Sequence, residues 1–134
     1  MPESSSTYGL QDEARASDGR PLGYGTGDGS TVTQATSITT GVEINANSGT
    51  ITTVSSTLAT GVDATFTVTN DKVGEFDTPI VNTKSYGGTA DGIPVCAVSA
   101  VADGSFDVNI MNNGAVTLDA VIVLSFNVIK GSAS

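Results

Sequence analysis

The sequence predicts an all-β protein: an antiparallel two-sheet sandwich, jelly-roll-like, with an extended N-terminal arm. Three observations predict it. Several segments alternate apolar and polar residues with a period of two, as half-buried strands do. Gly paired with Asp or Asn recurs at short intervals, the punctuation of turns between short strands. Apolar residues make up 38% of the chain and Trp is absent, so the core must be thin and built from Val, Ile, Leu and Ala. A length of 134 residues then fits one domain with a surplus for an arm or tail.

Residues 1–29 form that surplus. "MPESSSTYGLQDEARASDGRPLGYGTGDG" sustains no period of 2 or 3.6, holds both arginines of the chain (Arg15 and Arg20), and ends in the alternating glycines Gly23, Gly25, Gly27 and Gly29. It has room for one helical turn at Gln11–Ala16. By itself it buries too little apolar surface to offset its chain entropy. Tyr8, Leu10, Leu22 and Tyr24 are nevertheless spaced apolar anchors. Two readings fit, a disordered tail and an arm that orders against a neighbour.

The sandwich domain spans 30–134. "VEINA" alternates Val42, Ile44 and Ala46, "ATFTVTN" alternates Ala64, Phe66 and Val68 with threonines, and "SFDVNIMN" does the same with Phe106, Val108 and Ile110. Threonine suits the outer face because its branched Cβ fits a pleated surface while its hydroxyl stays wet. Turns are expected at Asn47–Gly49, Gly87–Gly88, Asp91–Gly92, Asp103–Gly104 and Asn113–Gly114, with one helical turn possible at 55–61. Strands near 93–102, 105–111 and 117–129 are expected to form an antiparallel meander, giving seven or eight strands in all.

The last of these strands breaks the alternation. Leu118, Ala120, Ile122, Leu124, Phe126 and Val128 take one face of "LDAVIVLSFNVIKG", and Val121, Val123 and Ile129 take the other. A strand that is apolar on both faces is covered on both. A two-layer sandwich supplies one cover, so Val121, Val123 and Ile129 are the candidate subunit interface unless another part of the chain lies over them.

Composition excludes several functions. A formal charge of −9 opposes binding to phosphates, so neither nucleic acid nor an anionic membrane is an expected partner. No apolar run reaches the roughly 20 residues of a membrane span, and "MPESSS" lacks the basic and apolar parts of a secretory signal. A soluble chain made in a cytoplasm is expected. With one cysteine and no histidine, Cys96 has neither a disulfide partner nor the base of a Cys–His nucleophile, and a buried structural thiol is expected.

Two segments invite chemistry and fail its requirements. "GYGTGDG" lacks the third glycine of a dinucleotide loop and the Gly-Lys-Ser/Thr of a triphosphate loop, which leaves a flexible hinge. "DKVGEFD" gathers three carboxylates without the alternate-position spacing of a calcium loop, which leaves an acidic surface loop. No nucleophile, base and orienting group occur together, so neither an enzyme nor a cofactor is expected.

The blocks "STVTQATSITTGVEIN" (30–45), "GTIT" (49–52), "FTVTN" (66–70), "VNTKSYGGTA" (81–90), "SAVADGSFDVNIMNN" (99–113) and "LSFNVIKG" (124–131) occur in an order that resembles a small β-domain of tailed-bacteriophage virion proteins. That domain recurs in tail-associated and receptor-binding proteins and as a short stand-alone virion protein. The resemblance runs from Ser30 to Gly131 and leaves residues 1–29 outside it. It carries no catalytic motif. It implies a structural role, here a capsid decoration (cement) protein on the outer surface of the head, because the shaft of repeats that fibres add is absent. It also implies a homotrimer partnered by the major capsid (coat) protein, located in the virion and made in the host bacterial cytoplasm. On that reading Tyr8, Leu10, Arg15, Arg20, Leu22 and Tyr24 are the expected capsid-contact residues of the arm. The other role the resemblance allows is a tail- or head-fibre tip that recognises a host surface, with an exposed aromatic or carbonyl-rich patch around Tyr86–Asp91.

Overall fold

The computed structural model describes residues 23–55 and 57–133. Eight strands and, among the described residues, no helix make up the fold: β1 (Gly29–Thr33), β2 (Val42–Glu43), β3 (Ser48–Thr52), β4 (Asp63–Thr69), β5 (Thr78–Tyr86), β6 (Pro94–Ala102), β7 (Ser105–Asn112) and β8 (Ile122–Ile129). They build two four-stranded sheets, ordered β1-β3-β8-β5 and β2-β4-β7-β6. The chain crosses from one sheet to the other at every connection except the β6–β7 hairpin, a jelly-roll-like winding. The all-β sandwich that the alternation predicts is the fold observed.

The period-two signal places the core directly. In β4, Ala64, Phe66 and Val68 are buried while Asp63, Thr65, Thr67 and Thr69 are exposed. Phe106, Val108 and Ile110 of β7 face inward beside them, and Ile122, Leu124, Phe126 and Val128 of β8 close the core from the first sheet. Phe106 and Phe126 meet across the sandwich with ring centroids 5.7 Å apart and planes tilted by 55°, within the preferred range for aromatic pairs. Burying each such ring is worth about 1.5–3 kcal/mol against leaving it in water.

Four expectations are corrected. The sheets are mixed rather than wholly antiparallel, because β1 pairs with β3 in parallel and β2 with β4 in parallel. The last three strands are not a meander: β6 and β7 form a hairpin, but β8 lies in the other sheet between β3 and β5. The reason is a contact between distant parts of the chain. The buried Asn112 side chain donates to the carbonyls of Leu58 and Val116 (3.0 and 2.7 Å), turning the chain across the end of the sandwich, and Leu118 plugs the core there at 0% exposure. Consequently β8 begins at Ile122, not near 117.

Residues 55–61 contain no described helix; Leu58 is buried and the chain turns at Gly61, where φ is 78°. Gly49, expected in a turn, lies inside β3. A Cβ there would stand 3.0 Å from Ile44 Cδ1, 3.2 Å from Phe126 Cε1 and closer still to the Ser30 carbonyl, so the β1–β3 approach needs glycine.

Candidate interaction surfaces

The two ends of the sandwich are held by buried polar side chains with every buried nitrogen and oxygen partnered, among the described residues. At the end where β4 finishes, Asn70 donates to the Ala46 carbonyl (2.7 Å) and accepts from Lys72 N–H (3.0 Å). At the opposite end Asn112 binds Leu58, Val116 and Gly114. Gln34 uses its whole carboxamide, donating to Ile38 and Thr40 carbonyls and accepting from Val54 N–H at 3.2 Å. Such groups fix loops, and their capacity is already used within the chain.

The acidic segment Asp71–Asp77 is organised the same way. Its exposed members are Asp71 and Glu75, but the Asp77 side chain is only 5% exposed. It accepts from Lys130 Nζ (2.6 Å), Gly74 N–H (2.9 Å) and Gly131 N–H (2.9 Å). Burial alone would raise its pKa, but the Lys130 hydrogen bond and the two backbone N–H groups outweigh it and hold the carboxyl below its ordinary 3.8. Asp77 therefore stitches β5 to the chain after β8, and no cluster of three metal-ligating side chains occurs among the described residues.

The loop proposed for recognition, Tyr86–Asp91, is likewise bound up internally. The Asp119 carboxylate accepts from Tyr86 Oη (2.9 Å), Thr89 N–H (2.8 Å) and the Thr89 hydroxyl, and Asp119 N–H donates back to the Tyr86 oxygen at 2.9 Å. Those donors, Thr89 first, hold Asp119 below the usual carboxylate range. Asp91 takes a φ of 73°, which an Asp in a tight turn tolerates. Cys96 is half-buried rather than enclosed, with Sγ 3.7 Å from Thr83 Oγ1, and burial pushes its thiol up, away from the reactive thiolate.

Of the arm residues, Tyr8, Leu10, Arg15, Arg20 and Leu22 lie outside the described residues. Tyr24 lies within them, 39% exposed, and its hydroxyl donates to the Val128 carbonyl of β8. The hinge expected at Gly23–Gly29 contains a turn, closed by Asp28 N–H to the Gly25 carbonyl at 3.2 Å with Gly27 at a φ of 96°.

Val121, Val123 and Ile129 do not form one patch. Val123 is half-buried between its cross-strand partners Thr52 and Ser85. Val121, just ahead of β8, is 44% exposed near it. Ile129 is 53% exposed at the far end of the strand, about 26 Å from Val121 at the usual rise per residue. None of the described loops lies over Val121 or Ile129.

The neighbours of Ile129 are the residues the sequence reading missed. Ile80, on the outer face of β5, is 45% exposed, and Phe76, ahead of β5, is 56% exposed. A signal was present: in "TPIVN" the apolar residues Pro79, Ile80 and Val81 fall on both parities, so one had to face outward. A smaller apolar pair, Val95 and Met111, sits cross-strand on the outer face of the second sheet.

No family model, curated protein or solved structure matches the chain. The phage resemblance therefore rests on the six sequence blocks alone.

Proposed function

We propose that the chain is a bacteriophage virion structural protein that decorates the outer capsid surface and stabilises contacts between coat subunits. The observation that supports this reading is an imbalance. The buried polar side chains are satisfied within the domain, while apolar side chains remain uncovered on the outer face of the first sheet, at Val121 beside Val123 and at Ile129. A sandwich of that kind, as far as its described residues go, offers surface for assembly. Val121 and Val123 supply the contact between copies in a homotrimer, and the arm, through Tyr8 and Leu10, reaches the coat protein.

Stabilisation follows from mass action: a protein that binds the assembled shell and not its separated subunits shifts the equilibrium toward the shell. The internal use of Tyr86, Thr89 and Asp119 leaves the neighbouring loop with less to offer a host glycan, which ranks the fibre-tip role second. Cosedimentation of the purified chain with assembled coat shells of the parent phage tests the proposal. Saturable binding at hundreds of copies per shell is expected, and the absence of binding refutes a decoration role.

A further inference from the structure

The sequence contains one Asn-Gly pair, Asn113–Gly114, in the loop that leaves β7 for the other sheet. An asparagine followed by glycine is open to a spontaneous reaction, because no Cβ on the next residue hinders the approach of its main-chain nitrogen to the carboxamide carbon. The Gly114 nitrogen forms a bond to Asn113 Cγ, the bond from Cγ to the side-chain nitrogen breaks, and ammonia leaves with the Gly114 proton. Water then opens the succinimide ring at either carbonyl. The product is aspartate or an isoaspartyl link with one more carbon in the main chain.

The fold requires this glycine. A Cβ on Gly114 would overlap the Asp91 carbonyl and stand 2.6 Å from the Ile93 nitrogen. The adjoining main chain is held to the same neighbours: Asn113 N–H donates to the Ile93 carbonyl at 2.8 Å and Ala115 N–H to the Asp91 carbonyl at 2.7 Å. The Asn113 side chain is exposed to the water that the second step consumes. A labile pair is thus built into the crossing to β8.

One contact stands against the reaction. Gly114 N–H donates to Asn112 Oδ1 at 2.9 Å. While that bond holds, the nitrogen keeps its proton and aims it at a fixed acceptor, so attack on Cγ requires the bond to break. Asn112 Oδ1 is itself fixed, since the amide group beside it donates to the carbonyls of Leu58 and Val116. Two Asp-Gly pairs that can close the same ring are held by main chain instead. Gly92 N–H donates to the Thr89 carbonyl at 3.2 Å and Gly104 N–H to the Val73 carbonyl at 2.8 Å. Of these three nitrogens, only that of Gly114 depends on a side chain.

We propose that Asn113 is a site of spontaneous deamidation, which the Asn112 carboxamide keeps closed while this end of the sandwich is folded. Loosening there opens the site, and the isoaspartyl product opposes re-closure. Its added carbon displaces Ala115 N–H from the Asp91 carbonyl, and its new charge sits in the loop leading to Leu118 and Val121. The modification is therefore a one-way record of opening.

Peptide mass spectrometry on the full chain, held at mildly alkaline pH, measures the rate of Asn113 conversion. The native chain is expected to convert at least about threefold to tenfold more slowly than the chain unfolded in urea, the range one ordinary hydrogen bond allows. Asn112→Ala is expected to remove most of that protection. Asn70→Ala, which loosens the opposite end by a similar amount, is expected to leave the rate within about twofold of the native one. Equal rates in the native and urea-unfolded chain overturn the proposal. Equal acceleration by the two variants also overturns it, because protection is then a property of overall stability. Amide exchange at Gly114 of the unmodified chain needs no variant: slowed exchange is expected, and exchange at the unfolded rate removes Asn112 as the guard.

Discussion

Asn70 and Asn112 are counterparts at opposite ends of the second sheet. Asn70 follows the last residue of β4, Asn112 ends the adjacent antiparallel β7, and both are 0% exposed. Each carboxamide replaces a backbone partner that the strand no longer supplies, and each does so for a loop that crosses to the other sheet. Asn112→Ala strands the Val116 carbonyl and the Gly114 N–H and removes one of two donors from the Leu58 carbonyl, which keeps the Leu118 N–H. Leaving such groups unpaired costs about 1–3 kcal/mol each, partly relieved by water at the loop, so a loss of about 2–4 kcal/mol is expected in urea denaturation. Asn70→Ala is expected to cost a similar amount. Asn113→Ala, exposed one position away, is expected to cost under about 0.5 kcal/mol, and an equal effect at 112 and 113 contradicts this account.

These asparagines also mark where sequence reading stops. The alternation in β4 and β7 made both strands and their inward faces legible, since a period of two depends only on local pattern. Asn112–Asn113–Gly114 reads as a hairpin signal by the same local rule. The side chain of Asn112 reaches Leu58, 54 residues away, and that long-range contact sends β8 into the other sheet. Gly49 misled for the same reason: its requirement comes from Ser30 and Phe126, not from a turn. Of the candidate surface, Val121 and Ile129 were legible as outward parity, but their separation along the strand and the company of Ile80 depend on the pairing of β5 with β8.

The Asp77–Lys130 contact makes acid stability pH-dependent in a definite direction. The folded-state pKa of Asp77 lies below its unfolded value of 3.8, so the unfolded chain binds the extra proton. Its contribution is fully present well above pH 3.8 and is lost as pH falls through the folded value. Asp77→Asn removes the titration: the variant is expected to lose less stability than the parent between about pH 5 and pH 3, and to be less stable at neutral pH by about 1–3 kcal/mol. Denaturation midpoints across that range check it. Parallel acid curves for the two proteins rule out Asp77 as the titrating group.

Gly49→Ala tests the close approach of β1. The added methyl overlaps the Ser30 carbonyl and crowds Ile44 and Phe126, so β1 must shift or detach. Overpacking of this kind costs about 1–3 kcal/mol. Amide exchange in 29–33 is expected to quicken more than exchange in β4 or β7, because the strain falls on an edge strand. Uniform quickening across both sheets points instead to a general loss of stability.

Val121 and Val123 test the assembly on which the decoration reading depends. They stand together where the first sheet meets the 113–121 loop, Val121 44% exposed and Val123 half-buried. Completing their burial contributes about 1 kcal/mol per side chain before the cost of association, and a symmetric contact repeats that gain at each interface. Replacing both with Asp introduces charge at that contact and is expected to give a monomer, with Phe66 and Phe106 still in the core by their unchanged ring signals. Sedimentation equilibrium of the unmodified chain is the more direct measurement, and a trimer at tens of micromolar is expected. A monomer at that concentration removes the subunit contact. A trimer that survives Val121→Asp and Val123→Asp together places the contact elsewhere, and the Val95–Met111 pair on the outer face of the second sheet is then the next apolar surface to test.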